Sequence, residues 1–247
     1  MTIPSEPPLQ KLQFYVTTGY KCGYLPNKLA QSLIATPQHL INANIYSGLI
    51  QQGFRRSGQF AYRPHCETCR ECVPVRVLLT NFTPNRSQKR AYKQHQNLTT
   101  TILPIAYHEA HYMLYAVYQV ARHANAESEQ DSERDTEVEK VEQYKSFLCQ
   151  TNVESVMVEF RENDQLKMVS VIDVVRDGIS AVYTFYDTSD AHASLGTYNV
   201  LWQIEWAKSL SFPYLYLGYW IKDSKKMAYK QNYKPLEMLI DGEWQCT

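Results

Sequence analysis

The chain has 247 residues, and its 25 Lys and Arg balance 25 Asp and Glu to a formal net charge of zero. That length can bury a sizeable core without disulfide staples, and the balance excludes a uniformly basic nucleic-acid binder. No run of about 18 apolar residues occurs, and the segment from Met1 to Gln13 lacks the apolar stretch of a secretory signal, so neither a membrane span nor export is expected.

In chain order, Thr36-Pro37 has the form of a helix N-cap followed by proline. Leu40, Ile41, Ile45 and Leu49 then recur at helical spacing, with Gly53 as the stop. Phe54–Arg56 and Gln59–Tyr62 flank Ser57-Gly58 and predict a hairpin. Val73, Val75, Val77 and Leu79 alternate, as a strand does; Ser87–His95 predicts a short basic helix, and Leu98–Leu103 another strand. His108–His123 is free of Gly and Pro and predicts a long helix. An acidic stretch follows, expected as a mobile loop and then a helix ending near Cys149. Val153–Arg161, Leu166–Val175 and Ile179–Tyr186 are β-rich and separated by turn signals at Glu162-Asn163-Asp164 and Asp177-Gly178. A helical pattern over Leu195–Leu210, the compact run Tyr214–Trp220, a basic segment and a tail strand complete the chain.

Three antiparallel strands, a helix and a further strand make an α+β layer whose order resembles the core of N-acetyltransferases. The expected organisation is a cysteine-containing N-terminal α+β part (1–125), an acidic linker (126–142) and an acetyltransferase-like C-terminal domain (143–247).

The neutral total conceals a sorting of charge. From Gly53 to His95, nine cations face only Glu67 and Glu71; from Lys222 to Lys234, five lysines face Asp223 alone. Between them, eight carboxylates from Glu127 to Glu142 outnumber Arg134 and Lys140. Two basic segments separated by an acidic one suit a protein with one anion-binding face. The 19 tyrosines offer apolar faces with polar tips, useful for stacking and for mixed pockets.

Six cysteines without a secretory signal read as thiols or metal ligands of a reducing cytoplasm. Cys66, Cys69 and Cys72 stand at two-residue intervals, a spacing that turns sulfurs toward one centre for zinc or an iron–sulfur cluster. The fourth ligand would come from Cys22 or His65; plain reduced thiols are the competing reading. Cys149 and Cys246 fall outside any spacing and are expected as core thiols.

Several motifs in order resemble one family, the bacterial aspartate/glutamate leucyltransferases, related to arginyl-tRNA–protein transferases. The N-terminal part is carried by Cys22-Gly23-Tyr24-Leu25-Pro26, Gly53-Phe54-Arg55-Arg56-Ser57-Gly58, Tyr62-Arg63-Pro64-His65-Cys66 and Cys72-Val73-Pro74-Val75-Arg76. The C-terminal part is carried by Ala181–Asp187, Ser194-Leu195-Gly196-Thr197-Tyr198, Leu217-Gly218-Tyr219-Trp220-Ile221 and Lys226-Met227-Ala228-Tyr229-Lys230. The resemblance implies transfer of leucine from leucyl-tRNA to proteins with an N-terminal Asp or Glu, creating an N-degron that marks them for degradation in the cytoplasm. It also implies an acetyltransferase-like C-terminal fold. The arginyl relatives have a second cysteine at the place of Leu25, so a metal cluster does not carry over intact.

The chemistry is attack of an α-amine on an ester carbonyl that is already activated. An α-amine with a pKa of about 7.7–8.0 is partly neutral near pH 7, so no enzyme nucleophile and no cofactor are required. An acidic acceptor end calls for arginine, whose planar fork grips a carboxylate; Arg55, Arg56, Arg63 and Arg76 are the candidates. For tRNA phosphates the candidates are Arg86, Lys89, Arg90 and Lys93 on one helix face and Lys225, Lys226 and Lys230 on a second patch. Tyr92 and Tyr229 are placed to stack on unpaired bases. Tyr186, Asp187, Gly196 and Tyr198 are the candidates for the reacting centre. Asp187 would orient or deprotonate the amine or simply cap a turn. Gly196 would open a helix toward an oxyanion or serve close packing. Two other functions compete. An acetyl-CoA-dependent N-acetyltransferase fits the element order, but 187–196 contains no arginine for a pyrophosphate loop. A non-enzymatic zinc-knuckle nucleic-acid binder fits Cys66–Cys72 and leaves the C-terminal half unexplained.

Overall fold

The computed structural model describes residues 12–123, 136–190 and 193–247. Its first layer is a small antiparallel sheet in the order β1 (Gln13–Val16), β4 (Ser32–Thr36), β6 (Phe60–Pro64), β5 (Arg55–Ser57). A two-stranded ribbon, β2 (Tyr20–Lys21) with β3 (Leu29–Ala30), lies between β1 and β4 in sequence. The hairpin around Ser57-Gly58 forms as expected, Arg55 facing Tyr62 and Ser57 facing Phe60. Gly58 has φ +57, and a Cβ there would lie 2.3 Å from the carbonyl oxygen of Ser146, so only glycine fits.

Thr36 does not cap a helix. Its backbone pairs with Gln13 as the last residue of β4, and a short 3₁₀ turn, Gln38–Leu40, follows. The helix α1 (Ala43–Gln51) starts only after Asn42, whose side chain accepts from the N–H of Ile45 at 3.1 Å. Asparagine is a strong N-cap, and a threonine committed to a strand ladder cannot compete with it. Gly53, at φ +82, ends this stretch as expected. The basic helix α2 (Arg86–Gln94) opens on a full capping box between Asn85 and Gln88.

The main body is an eight-stranded mixed sheet in the order β14-β13-β7-β12-β11-β10-β9-β8. Its strands are β7 (Val73–Leu78), β8 (Thr99–Pro104), β9 (Ser155–Glu162), β10 (Gln165–Val175), β11 (Gly178–Tyr186), β12 (Tyr214–Trp220), β13 (Leu236–Ile240) and β14 (Glu243–Cys246). β9, β10 and β11 form the antiparallel meander predicted from their turns. The helix α5 (Leu195–Ser209) then crosses one face and returns the chain as β12, parallel to β11. The fold is therefore α+β with an acetyltransferase-like strand–helix–strand order. The sheet draws β7 and β8 from the 1–125 side of the expected boundary, and β7 lies between β12 and β13.

Alternation along the strands gives the sheet two apolar faces. Val158, Phe160, Met168 and Ile172 pack against Leu201 and Ile204 of α5. Met157, Val169, Val171 and Phe185 pack against Tyr112 of α3 (Glu109–His123) and Tyr144 of α4 (Glu137–Tyr144). Ile45, Tyr46, Leu49 and Ile50 of α1 cover Val175 and Tyr216. The helix α4 begins at a Thr136–Glu139 capping box; the loop expected before it, 124–135, lies outside the described residues.

Candidate active site at the split between two parallel strands

β11 and β12 pair in parallel only where Gly178, Ile179 and Ser180 face Tyr214, Leu215 and Tyr216. Beyond that point each strand has an extra residue against its other neighbour, Val182 in β11 and Leu217 in β12. Such bulges bend a strand and end its pairing. Gly218, at φ +80, completes the turn-away on β12. The strands diverge, and the backbone groups facing the gap need other partners.

Arg55 supplies them. Its Nη1 donates to Ser180 Oγ at 3.2 Å, and its Nη2 donates to the carbonyls of Ala181 and, at 3.4 Å, Val182. The guanidinium carbon lies 3.0 Å from the point a Cβ on Gly218 would occupy, so the glycine leaves room for it. The ends of parallel strands at such a split are where open sheets hold ligands.

Around Arg55 stand Tyr24, Tyr62, Tyr219 and Tyr229, each close enough to feel its charge. Burial pushes the phenols of Tyr62 and Tyr219 up, so they are neutral hydrogen-bonding groups, while the side chains of Tyr24 and Tyr229 stay partly open to solvent. Lys230 is there too. It is only 6% exposed, and its Nζ donates to the carbonyl of Tyr219 at 2.7 Å and to Met227 Sδ at 3.2 Å. Burial, aided by the Arg55 charge, brings its pKa down to about 7. Among the described residues, no carboxylate pairs with Arg55 or Lys230. Tyr186, at the end of β11, accepts from Arg122 and meets the ring of Tyr118 edge-on at 5.0 Å.

The four candidate arginines separate sharply. Arg56 is sealed in the interior: its Nε and Nη2 donate to the two carboxylate oxygens of Asp173 at 2.9 and 2.6 Å, and Nη1 donates to the carbonyl of Gly58. Arg76 is likewise buried, paired to Glu237 at 2.6 Å and stacked 3.6 Å from the ring centre of Tyr214. The expected carboxylate-binding role therefore does not hold for these two, because the fold already fills their forks. Arg63 donates to the carbonyl of Gln52 at 2.9 Å and lies 5.1 Å over Phe54. It opens onto a cleft of about 500 Å³ shared with Cys66, Cys69, Cys72 and Tyr219. Only Arg55 sits in the split.

Other expectations also move. Lys230 is not on a surface patch, because its amine is buried beside Arg55. Lys225, Lys226 and Tyr229 are exposed on the same turn, with Lys226 Nζ donating to the carbonyl of Arg122 at 3.4 Å. Arg86, Lys89, Arg90 and Lys93 are all exposed at helical spacing on α2, opposite buried Gln88 and Ala91. Tyr198 is a core residue, 4% exposed and packed on Tyr92, His95 and Phe160; burial raises its pKa to about 12. Asp187 caps its turn: Oδ1 accepts from the N–H of Ser189 at 2.9 Å and Oδ2 from Lys167 at 3.0 Å. Those donors, the Ser189 backbone first, hold its pKa below the ordinary carboxylate value, which makes it a poor proton acceptor. At Gly196 a Cβ would meet Tyr186 Oη at 3.5 Å, an ordinary contact, so close packing does not require the glycine.

Cys72 is pushed up to about 12 by burial and then by Cys22, Cys66 and Cys69 in that order, so the four thiols face one neighbourhood. Sulfur donors are the right type for zinc or an iron–sulfur cluster. Yet among the described residues no three His, Cys, Asp or Glu side chains converge into a group that could hold a metal ion. The Cys66 thiol points instead to the carbonyl of Gln31, 3.9 Å away.

Sequence reasoning did not foresee Tyr24, Tyr62 and Tyr219 around Arg55, although all three lie in the quoted motifs. Nor did it foresee His111, fully buried, with Nε2 2.6 Å from Glu159 Oε1; burial lowers its pKa despite that carboxylate. A His among apolar residues in a helical pattern gives no signal of a carboxylate 48 residues away.

Residues 20–90 match the family described as arginine-tRNA-protein transferase, N terminus, and residues 110–240 match its C terminus. The chain is 64% identical over 245 residues to an aspartate/glutamate leucyltransferase of Methylobacillus flagellatus, covering 99% of this chain and 96% of that one. It is 54% identical to the aspartate/glutamate leucyltransferase of Thiobacillus denitrificans, over 98% of both chains. Among solved structures it is similar to L-PGS from Bacillus licheniformis, at 12% identity and a TM-score of 0.45 over 71% of this chain and 58% of that one. The chain belongs to the arginine-tRNA-protein transferase family.

Proposed function

We propose that this enzyme moves leucine from leucyl-tRNA to the N-terminal α-amine of proteins that begin with Asp or Glu. Leucine as the group transferred and acidic residues as acceptors follow from the names of its full-length relatives. The observation that carries the reading at the site is Arg55, a cation at the strand split with no carboxylate partner among the described residues. Its fork receives the acceptor's side-chain carboxylate and so brings the neighbouring α-amine to a fixed place.

In the reaction, the amine nitrogen bonds to the ester carbonyl carbon and the carbon–oxygen bond to the tRNA breaks. The amine gives up a proton and the departing ribose oxygen gains one. Holding the two reactants in line is worth roughly 7–11 kcal/mol, so positioning can carry most of the catalysis. The hydroxyl of Tyr186 and the first turn of α5 at Gly196 stand together, 3.5 Å apart by the Cβ position, and serve the developing oxyanion. The stripe Arg86, Lys89, Arg90 and Lys93, with Lys225 and Lys226, holds tRNA phosphates, and Tyr229 stacks on an unpaired base of the acceptor end. Such a leucylated product is an N-degron substrate, and the reaction belongs in the cytoplasm. No helix among the described residues is long and apolar enough to cross a membrane.

Mixing purified protein, leucyl-tRNA and a peptide starting with Asp tests the reading by mass spectrometry. The expected product is heavier by one leucyl residue, with little product from arginyl-tRNA. Acetyl transfer from acetyl-CoA in place of leucyl transfer, or preference for arginyl-tRNA, overturns it. A zinc ion or iron–sulfur cluster at Cys22, Cys66, Cys69 and Cys72 would brace the wall of this site and takes no part in the transfer. Elemental analysis after anaerobic purification decides whether one is there: a stoichiometric metal supports the brace, and under about a tenth of an equivalent removes it.

A further inference from the structure

We infer that the cleft beside the split is a second subsite for the acceptor chain, in which Arg63 and Arg70 hold an acidic side chain one or two residues behind the N-terminal Asp or Glu. The inference rests on the proposed transfer to acidic N-termini and adds how the residues that follow are read.

The cleft holds about 500 Å³, within the range of pockets that take small ligands. Arg63, His65 and Arg70 line it, and none of its lining residues is a carboxylate. Glu67 and Glu71, the two acids of this segment, are exposed and lie outside the lining. Both arginines are held by backbone rather than by acids. Arg63 donates through Nη1 to the carbonyl of Gln52 at 2.9 Å; Arg70 donates through Nη1 to the carbonyl of Cys66 and, at 2.9 Å, to that of Cys69. These bonds neutralise no charge, and among the described residues Nε and Nη2 of each guanidinium donate to no protein group. A fork anchored on one side and open along its Nε–Nη2 edge can grip a carboxylate with two hydrogen bonds.

The cleft adjoins the place assigned to the first acceptor residue. Tyr62 faces Arg55 across the β5–β6 pair, and Arg63 is the next residue along β6. Gly218, whose Cβ position lies 3.0 Å from the Arg55 guanidinium, is followed by Tyr219. Tyr219 lines the cleft, and its hydroxyl donates to the carbonyl of Gly53, a second lining residue, at 2.9 Å. An acceptor anchored at Arg55 by its first side chain runs outward by about 3.3 Å per residue when extended, the same step that separates Arg63 from Tyr62. Its next side chains therefore come to the cleft. The phosphates of an RNA, strung along a backbone, match the exposed row of cations on α2 instead. Continuity with the acceptor's anchor favours a peptide here.

Steady-state leucyl transfer by the full chain tests this with three peptides of equal length. One begins Asp-Glu-Glu, one begins Asp-Gln-Gln, and one begins Asp-Gln-Gln with the two glutamates moved to its far end. The expected KM for the first is lower than for the other two by about 10-fold or more, with similar kcat, because the subsite lies away from the reacting atoms. In the double variant Arg63→Gln, Arg70→Gln that ratio should fall to within about twofold, whatever its overall rate. Equal KM for the first two peptides in the wild-type protein overturns the proposal with no variant needed. So does an equally low KM for the third peptide, which would reflect general attraction of charge. An unmoved ratio in the double variant, or loss of leucyl-tRNA affinity in its place, also overturns it. Transfer to all three peptides alike leaves the proposed function standing and removes this subsite. Transfer to none removes the proposed function, and calorimetric binding of the same peptides then decides the subsite: tighter binding of Asp-Glu-Glu by about 10-fold or more supports it, and equal affinities remove it.

Discussion

Arg55 and Arg56 are neighbours on one short strand and face opposite environments. Successive residues of a strand point to opposite sides, so Arg56 enters the core and Arg55 enters the split between β11 and β12. Arg56 finds Asp173, a carboxylate braced by Ser155 Oγ at 2.6 Å, in a site closed to water. Among the described residues, Arg55 finds only neutral oxygens. Two arginines adjacent in sequence thus tie the small sheet to the large one in different ways: Arg56 through an ion pair with Asp173, Arg55 through hydrogen bonds to neutral oxygens of β11 alone.

The contrast can be broken first at its structural end. Asp173→Ala leaves the Arg56 charge buried without a partner and is expected to cost about 3–5 kcal/mol, read from urea unfolding. Leucyl transfer per folded molecule should change little, and a selective loss of activity with stability intact would reverse the assignment. Arg55→Ala is the mirror experiment. Loss of charge-assisted hydrogen bonds worth about 1.5–3 kcal/mol should lower kcat/KM for Asp peptides roughly 10- to 100-fold, with a loss of unfolding free energy smaller than that of Asp173→Ala, since the carbonyls of Ala181 and Val182 lose their partner. Unaltered kcat/KM would remove Arg55 from the acceptor site.

Lys230 sharpens the comparison through pH. Its folded pKa, about 7, lies below the ordinary lysine value. Between about pH 7 and pH 10, therefore, the unfolded chain holds a proton that the folded chain does not. Stability gains from this group as pH rises through that window, by at most about 1.4 kcal/mol per pH unit, and the gain is absent below pH 7. Lys230→Met should flatten the slope of stability between pH 7 and 10; an unchanged slope would mean the buried amine keeps its proton. The smallest effect concerns the α2 stripe. Replacing one of Arg86, Lys89, Arg90 or Lys93 with Ala should weaken tRNA binding modestly and reduce the slope of log affinity against log salt by about 0.7–0.9. No change in slope for any of the four would place the tRNA elsewhere.

Much of the architecture was legible because its signals are local. Turn residues bounded the β9–β11 meander, alternation marked β7, and i, i+3, i+4, i+7 spacing placed the four cations of α2 on one exposed face. The site was only half legible. Sequence singled out Arg55 but could not separate it from Arg56 and Arg76, since a buried ion pair depends on carboxylates 117 and 161 residues away. Lys230 looked like a member of a basic patch, because burial of one lysine among five is set by packing on β12. The strands β1 and β4 escaped notice for a related reason: β1 is exposed along its length, so it has no buried face to leave a period in the sequence.

The position of β7 has a consequence for recombination among relatives. That strand is clasped between β12 and β13, so the first half of the chain contributes an inner rib to a sheet otherwise made mostly by the second. A crossover anywhere between residues 79 and 213 would splice foreign neighbours onto both edges of that rib, separating Arg76 from its own Glu237. Hybrids of two family members should therefore assemble only when both sides of this clasp descend from the same parent.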